Sequence, residues 1–282
     1  MAISDILGAL GVMPRRPLVV VLRLDGVIGA LRPGSRGLSI RDLAGPIETA
    51  AGISGIKALA LVVNSPGGAP VQTALIAKRI RALAAEKKFP VYAFVEDIAA
   101  SGGYWLAAAA DEIYADESSI VGSIGVVSAG FGLQGLIERI GVERRVHAKG
   151  ERKSMLDPFR PEKAEDVARL DRVLGDIHEA FKGQIRERRG ARLKASEDEL
   201  FSGEIWTGRR ALELGLIDGL GDLRSVMRAK FGDKVKFRSV VAGRNWLQRR
   251  LGLDFALGGG RDKIAEALGA LEERLLWARY GL

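Results

Sequence analysis

The chain has 282 residues, of which 47% are hydrophobic and 28% charged. A globular chain of this size buries roughly 70% of its unfolded surface, so it can build a full core, and the composition excludes a wholly disordered or fibrous protein. There are no cysteines, which removes disulfides, zinc–thiolate sites, iron–sulfur clusters and cysteine nucleophiles together. The formal charge is +8, and Arg224 to Leu282 carries 13 basic against 6 acidic residues. A solvated basic surface explains such an excess, and contact with an anionic membrane face is the functional alternative. No aromatic-and-glycine signature of RNA binding accompanies these charges, so no nucleic-acid partner is expected.

Residues 1–17 read as an N-terminal extension. Ile3, Ile6, Leu7 and Leu10 would lie on one face of a short amphipathic helix. The run from Ile6 to Met13 is too short to span a bilayer and lacks the leading positive charges of an export signal. These features predict a soluble, cytoplasmic chain whose peripheral contact, if any, is with the inner membrane face.

Leu18–Leu24 (LVVVLRL) is a nearly continuous β-branched strand closed by Asp25-Gly26. Leu43, Ile47 and Ala50 mark a short helix. Lys57–Val63 is a second buried strand, stopped at Asn64-Ser65-Pro66-Gly67-Gly68. Pro70 opens a helix to about Glu86, with Val71, Leu75, Ile80 and Leu83 as its apolar members. Val91–Val95 is a third strand and Ser101–Ala110 a helix rich in small residues. Glu112–Ala115 is a short strand, Leu133–Ile140 a helix and Glu143–His147 a strand. Residues 161–189 form a long helix with Val167, Leu170, Leu174, Ile177 and Phe181 as its seam. Beyond it GEIWTGRRALELGLIDGLGDL gives a turn, a helix, a short strand and another helix. Lys236–Val241 adds a strand, and Ile264, Leu268, Leu271 and Leu275 mark a final helix. Buried strands alternating with helices predict an α/β fold with a mostly parallel sheet and helical extensions. The divisions are an extension over 1–17, a main α/β domain over 18–223, and a basic C-terminal extension over 224–282 with a terminal helix.

Chemistry is sparse by elimination. The two histidines, His147 and His178, have no metal-ligand spacing and no local support for a triad, and His178 reads as a surface or packing residue. No P-loop or dinucleotide-binding loop occurs. Two βα junctions stand out. Ser65-Pro66-Gly67-Gly68 follows a strand and precedes a helix, so its backbone N–H groups can face an oxyanion. An ordinary βα turn explains it equally well. Ala99-Ala100-Ser101-Gly102-Gly103-Tyr104-Trp105 repeats the arrangement with a serine at the helix start. The nucleophile-elbow pattern G-x-S-x-G is absent, and an N-cap serine is the plain alternative. A serine needs a base, and with the histidines unsupported a lysine of lowered pKa is what remains. Lys149 and Lys153, in AKGERKS, are the candidates, though the segment also reads as a basic surface loop.

Taken in order, SPGG, AASGGYW, GSIGV and GERKSMLDPF resemble the S49 family of serine peptidases, the signal peptide peptidase A group, in a small form without a transmembrane anchor. The resemblance runs from about Leu18 to Leu223 and includes GEIWTGRRALELGLID. It implies a Clp-protease/crotonase-like fold and a Ser-Lys dyad. Ser101 stands at the nucleophile position and Lys153 at the general-base position, with Lys149 outside it. Ser123, in GSIGV, stands where a serine orients the lysine amine. Gly68 and Gly102 stand at the oxyanion-hole positions, with Gly67 as the alternative to Gly68. The implied reaction is hydrolysis of extended apolar peptides through an acyl-enzyme, with no metal or organic cofactor. A homo-oligomer is implied as well. Ser101 Oγ and Lys153 Nζ are expected within about 2.6–3.5 Å of each other or slightly farther, with Ser123 near the amine, and a lysine on the far face would need a partner subunit to complete the site. Two other readings are a crotonase-like acyl-CoA enzyme and a non-catalytic, membrane-associated scaffold.

Overall fold

The computed structural model describes residues 16–29, 37–150, 152–240 and 274–282. The amphipathic start and most of the predicted final helix lie outside the described residues. Of that helix, Leu275 falls within them, in a helical turn.

Eight strands form one sheet. They are β1 (Leu18–Asp25), β2 (Ile56–Ser65), β3 (Val91–Ala100), β4 (Glu112–Ala115), β5 (Ile120–Gly122), β6 (Ile205–Thr207), β7 (Gly219–Leu220) and β8 (Lys236–Val240). The main path runs β6-β5-β3-β2-β1-β8, with β4 beside the first half of β3 and β7 beside β4. Every pairing is parallel except β5 with β6. Central strands of a parallel sheet are buried on both faces, which is why LVVVLRL and KALALVV read as nearly continuous apolar runs, with Arg23 exposed near the end of β1 and Lys57 at the start of β2. The chain is therefore an α/β protein with a largely parallel sheet flanked by helices. The sheet extends past Leu223, since β8 pairs with β1.

One face of the sheet carries α1 (Ile40–Ala51) and α2 (Pro70–Lys87). Leu43, Ile47 and Ala50 of α1 are buried, as their spacing predicts. In α2 the buried set is Thr73, Ile76, Ala77, Ile80, Leu83 and Ala84, whereas Val71 and Leu75 are exposed. Ile80 and Leu83 are thus buried as predicted, while in the first half of the helix Thr73, Ile76 and Ala77 take the inner face in place of Val71 and Leu75. Behind the sheet, α8 (Leu223–Phe231) places Met227 on Val19, Ala58, Ala60, Tyr92 and Phe94 to make a second, smaller core.

α3 (Gly102–Ala107) is buried along its whole length. α4 (Gln134–Arg139) has no buried residue. α5 (Ala164–Arg189) is divided: Phe181, Ile185 and Arg189 are buried at its C-terminal end, while Val167, first in the predicted seam, is exposed. The predicted strand Glu143–His147 does not form. Its only apolar residue is Val146, too little for a half-buried strand. Two short helices, α6 (Glu197–Leu200) and α7 (Gly208–Glu213), frame β6.

A polar clamp ties α5 to the sheet. Arg189 donates to Asp218 at 2.6 Å and twice to the Gly215 carbonyl, and Asp218 also accepts the Ile113 N–H. Burial works to raise the Asp218 carboxyl pKa, but the Arg189 guanidinium outweighs it and holds the group below its ordinary value. The wholly buried Tyr104 donates to the Leu216 carbonyl at 2.7 Å, and burial raises its phenol pKa.

Candidate active site

Three adjacent strands end side by side: Ser65 of β2 pairs with Ala99 of β3, and Ala100 pairs with Gly122 of β5. The three turns that leave them carry SPGG, SGG and GSIG. This is the C-terminal edge of a parallel sheet, where open α/β folds place their ligand clefts.

Ser101 leaves β3 with φ 50° and ψ −122°. A non-glycine residue at positive φ is strained, at a cost of order 1–3 kcal/mol, and persists only where its surroundings hold it. Here they do: the Ser101 N–H donates to the Gly122 carbonyl at 2.8 Å, and its carbonyl accepts from Trp105. Ser101 occupies the N-cap position of α3, as the plain alternative has it, but its backbone is not in the usual extended cap conformation and its side chain makes no cap bond. A strained strand-to-helix elbow exists here without the G-x-S-x-G pattern, because Gly102 and Gly103 supply the room. A Cβ on Gly103 would lie 2.3 Å from the Ser65 carbonyl oxygen.

The SPGG turn packs directly on this elbow. Gly67 has φ 105°, and a Cβ there would lie 2.8 Å from the Ser101 Cβ and 2.9 Å from the Gly102 nitrogen. Gly68 has φ 142°, and its Cβ would meet the Ile28 carbonyl oxygen at 2.1 Å. The Gly67 carbonyl accepts from Ile28, and Ala69 donates to the Ile28 carbonyl. The Gly67 N–H is engaged by the buried Ser65 hydroxyl at 3.2 Å. Among the described residues no such bond takes up the N–H of Gly68, or that of Gly102 at the first position of α3, where a helix leaves its N–H groups unpaired. Of the two SPGG glycines, Gly68 is the one whose N–H has no partner among the described residues.

Ser123 is buried and also sits at positive φ, 53°. Its N–H donates to the Glu204 carbonyl at 2.6 Å. Ser101, Gly68, Gly102 and Ser123 all line one groove of about 400 Å³. Its apolar wall is Trp105 stacked on Phe181, ring centroids 4.8 Å apart, with Ile177 beside them. Tyr280 of the C-terminal segment closes one side.

Lys153 and Lys149 are not in this groove. Both are exposed and line a shallow depression of their own, with Arg144, His147 and Asp157. That depression belongs to an arm over residues 126–163, in which no described residue is buried. The arm is tied to itself: Arg144 reaches Asp157 at 3.3 Å and lies over the Phe159 ring, and Leu133 donates to the Pro158 carbonyl. The Phe159 N–H and the Arg144 guanidinium hold the Asp157 carboxyl below its usual pKa. His147 is exposed on the same arm. His178 is half-buried, and its Nε2 lies 3.1 Å from the Ile124 carbonyl. The sequence offered no sign of that contact, which spans 54 residues. The strain at Ser101 was equally silent, since no residue type announces it.

A strained serine at the carboxyl edge of a parallel sheet, faced by backbone donors that are unpaired among the described residues, is the arrangement that a nucleophile of an α/β enzyme needs. The comparisons make the class specific. Residues 83–235 match the model of peptidase family S49. A putative protease of Synechocystis sp. is 31% identical over 262 residues, 91% of this chain and 90% of that one. A putative protease of Methanocaldococcus jannaschii is 31% identical over 77% of this chain and 70% of that one. The chain belongs to peptidase family S49, a family of serine proteases. It is also 50% identical, over 94% of its length, to a protein of Brucella abortus named as a Na(+)/H(+) antiporter, of which it spans 37%. The antiporter name is that of the longer protein. Among the described residues no helix is long and apolar enough to cross a membrane. The fold is similar to that of a mutant of the 1510-N membrane-bound stomatin-specific protease, with TM-score 0.51 and 16% identity over 81% of this chain and all of that one.

Proposed function

We propose that the protein is a serine endopeptidase that cleaves extended apolar peptides through an acyl-enzyme on Ser101, with Lys153 as general base. The observation that carries the reading is the Ser101 elbow, a strained serine against two glycine turns at the mouth of a groove with an apolar wall. A Clp-protease/crotonase-type arrangement is the frame for it.

In this reaction neutral Lys153 takes the Ser101 proton and the alkoxide attacks the scissile carbonyl. The Gly68 and Gly102 N–H groups hold the oxyanion. Lys153 then passes its proton to the leaving amine and activates the water that releases the acyl group. Ser123 orients the lysine amine. The wall of Trp105, Ile177 and Phe181 receives an apolar side chain and excludes water.

Lys153 reaches Ser101 from a second copy of the chain. Three features support this. Lys153 lies in a depression separate from the Ser101 groove. The arm that bears it exposes Val127, Phe131, Leu136, Ile140 and Val142, more apolar surface than a free arm should carry. A lysine acts as a base only when neutral, which burial favours, and docking of the arm on a neighbour supplies that burial. The assembly is a homo-oligomer with shared active-site grooves.

A fluorophosphonate probe tests the nucleophile. Intact-mass and peptide mapping should place one adduct on Ser101 and none on the Ser101→Ala protein. An adduct on another serine, or none alongside measurable peptide hydrolysis, would refute the assignment.

A further inference from the structure

We infer that His178 is a positioning residue for the proposed reaction, its hydrogen bond to the Ile124 carbonyl holding the turn on which both Ser101 and Ser123 depend; the inference rests on the Ser101 reading above.

The turn in question is Gly122-Ser123-Ile124-Gly125. Its first carbonyl, Gly122, accepts the Ser101 N–H at 2.8 Å and so helps to hold the strained elbow. Its second residue carries the Ser123 hydroxyl into the groove. The turn is not regular structure. Gly122 has φ 112°, Ser123 has φ 53°, and Gly125 donates back to the Ser123 carbonyl at 2.9 Å. Such a conformation persists only when fixed from outside.

Two outside elements fix it. On one side are the residues around β6, where the Glu204 carbonyl takes the Ser123 N–H and the Trp206 ring fills the space a Gly122 side chain would need. On the other side is α5, which carries His178. The Ile124 side chain is wholly buried, and the carbonyl of Ile124 is met by the imidazole Nε2 at 3.1 Å. A carbonyl only accepts, so Nε2 carries the proton. The flanking α5 residues Ile177 and Phe181 line the Ser101 groove. The same helix therefore builds the apolar wall and pins the turn opposite it. His178 touches no substrate in this account and acts only through the turn.

The test uses the full-length chain and a quenched fluorogenic peptide of alanine and leucine, with three substitutions. His178→Leu removes the donor, His178→Asn keeps an amide too short to reach, and His178→Gln keeps an N–H at about the reach of Nε2. We expect kcat to fall about tenfold for Leu and Asn, the scale of one lost neutral hydrogen bond, with KM within about twofold and most of the loss regained by Gln. Because His178 acts through the turn, Ser123→Ala combined with His178→Asn should be no slower than the slower single variant. Phosphonylation of Ser101 by the fluorophosphonate, with loss of fluoride, should slow in parallel with kcat. Full kcat in the Asn variant, equal losses in Gln and Asn, or multiplying effects with Ser123→Ala would each overturn the inference. If Leu fails to fold, the Asn and Gln pair decides it. Hydrolysis that survives Ser101→Ala would instead strike the underlying reading, a separate outcome.

Discussion

Beneath the groove the chain around Ser101 is tightly packed, whereas around Lys153 it is open. α3 is buried along its length, the SPGG and SGG turns meet without room for a side chain, and Ser123 is buried beside them. From residue 126 to 163 no described residue is buried, and apolar side chains such as Phe131 stand in solvent. Under the proposed mechanism the difference follows from what each group has to do. A strained elbow must be held by its scaffold, since the strain would otherwise relax. A base on an arm can be delivered, and its own fold need only keep the arm in shape, as the Arg144–Asp157 pair does.

The largest expected effect falls on both regions alike. Ser101→Ala and Lys153→Ala should each lower peptide hydrolysis by about 10⁴-fold or more with the fold unchanged by circular dichroism. Lys149→Ala should be much milder. A Lys153→Ala protein with full turnover, beside a dead Lys149→Ala, would move the base.

A methyl group distinguishes the regions next. Gly67→Ala sets a Cβ 2.8 Å from that of Ser101 at a φ of 105°, so it should abolish activity and cost about 1–3 kcal/mol of stability in denaturant unfolding. Gly130→Ala, on the arm, meets nothing within 4 Å and should change neither. Equal behaviour of the two would mean that the elbow is not the tightly held element described.

How much of this could be read from residues alone follows the same divide. The strands of the core were legible because parallel strands buried on both faces are apolar almost without interruption, as in LVVVLRL and KALALVV. The buried face of α1 was legible from Leu43, Ile47 and Ala50. The seam of α2 was legible only in its second half, at Ile80 and Leu83, because in the first half small Thr73 and Ala77 are buried while the larger Val71 and Leu75 face outward. The antiparallel β6 went unread for its three-residue length. Glycine pairs marked both βα turns, but positive φ at Ser101 and Ser123 and the bond from His178 to Ile124 arise from tertiary contacts that no local pattern encodes. On the arm, ERRVH has too little apolar character to form the strand its position suggested.

A smaller effect concerns the scaffold that holds the elbow. Asp218→Asn leaves Arg189 buried without its counter-charge and should cost about 2–3 kcal/mol, the low end for a broken buried pair because Asp218 keeps some solvent contact. Since folding lowers the Asp218 pKa, its contribution is complete above the unfolded value of about 3.9 and is lost as pH falls below it. Thermal unfolding of the wild type should therefore lose stability faster between about pH 4 and pH 2 than that of Asp218→Asn. Parallel curves would remove the clamp from the account.

The most direct measurement mixes the two inactive proteins. If Ser101 of one copy works with Lys153 of the next, Ser101→Ala and Lys153→Ala proteins, each shown by light scattering to assemble, should regain peptide hydrolysis on co-assembly, because some grooves then pair an intact serine with an intact lysine. Mixtures that stay inactive at every ratio, although mass spectrometry shows both chains in one particle, would contradict the claim that the arm of one copy completes the site of another.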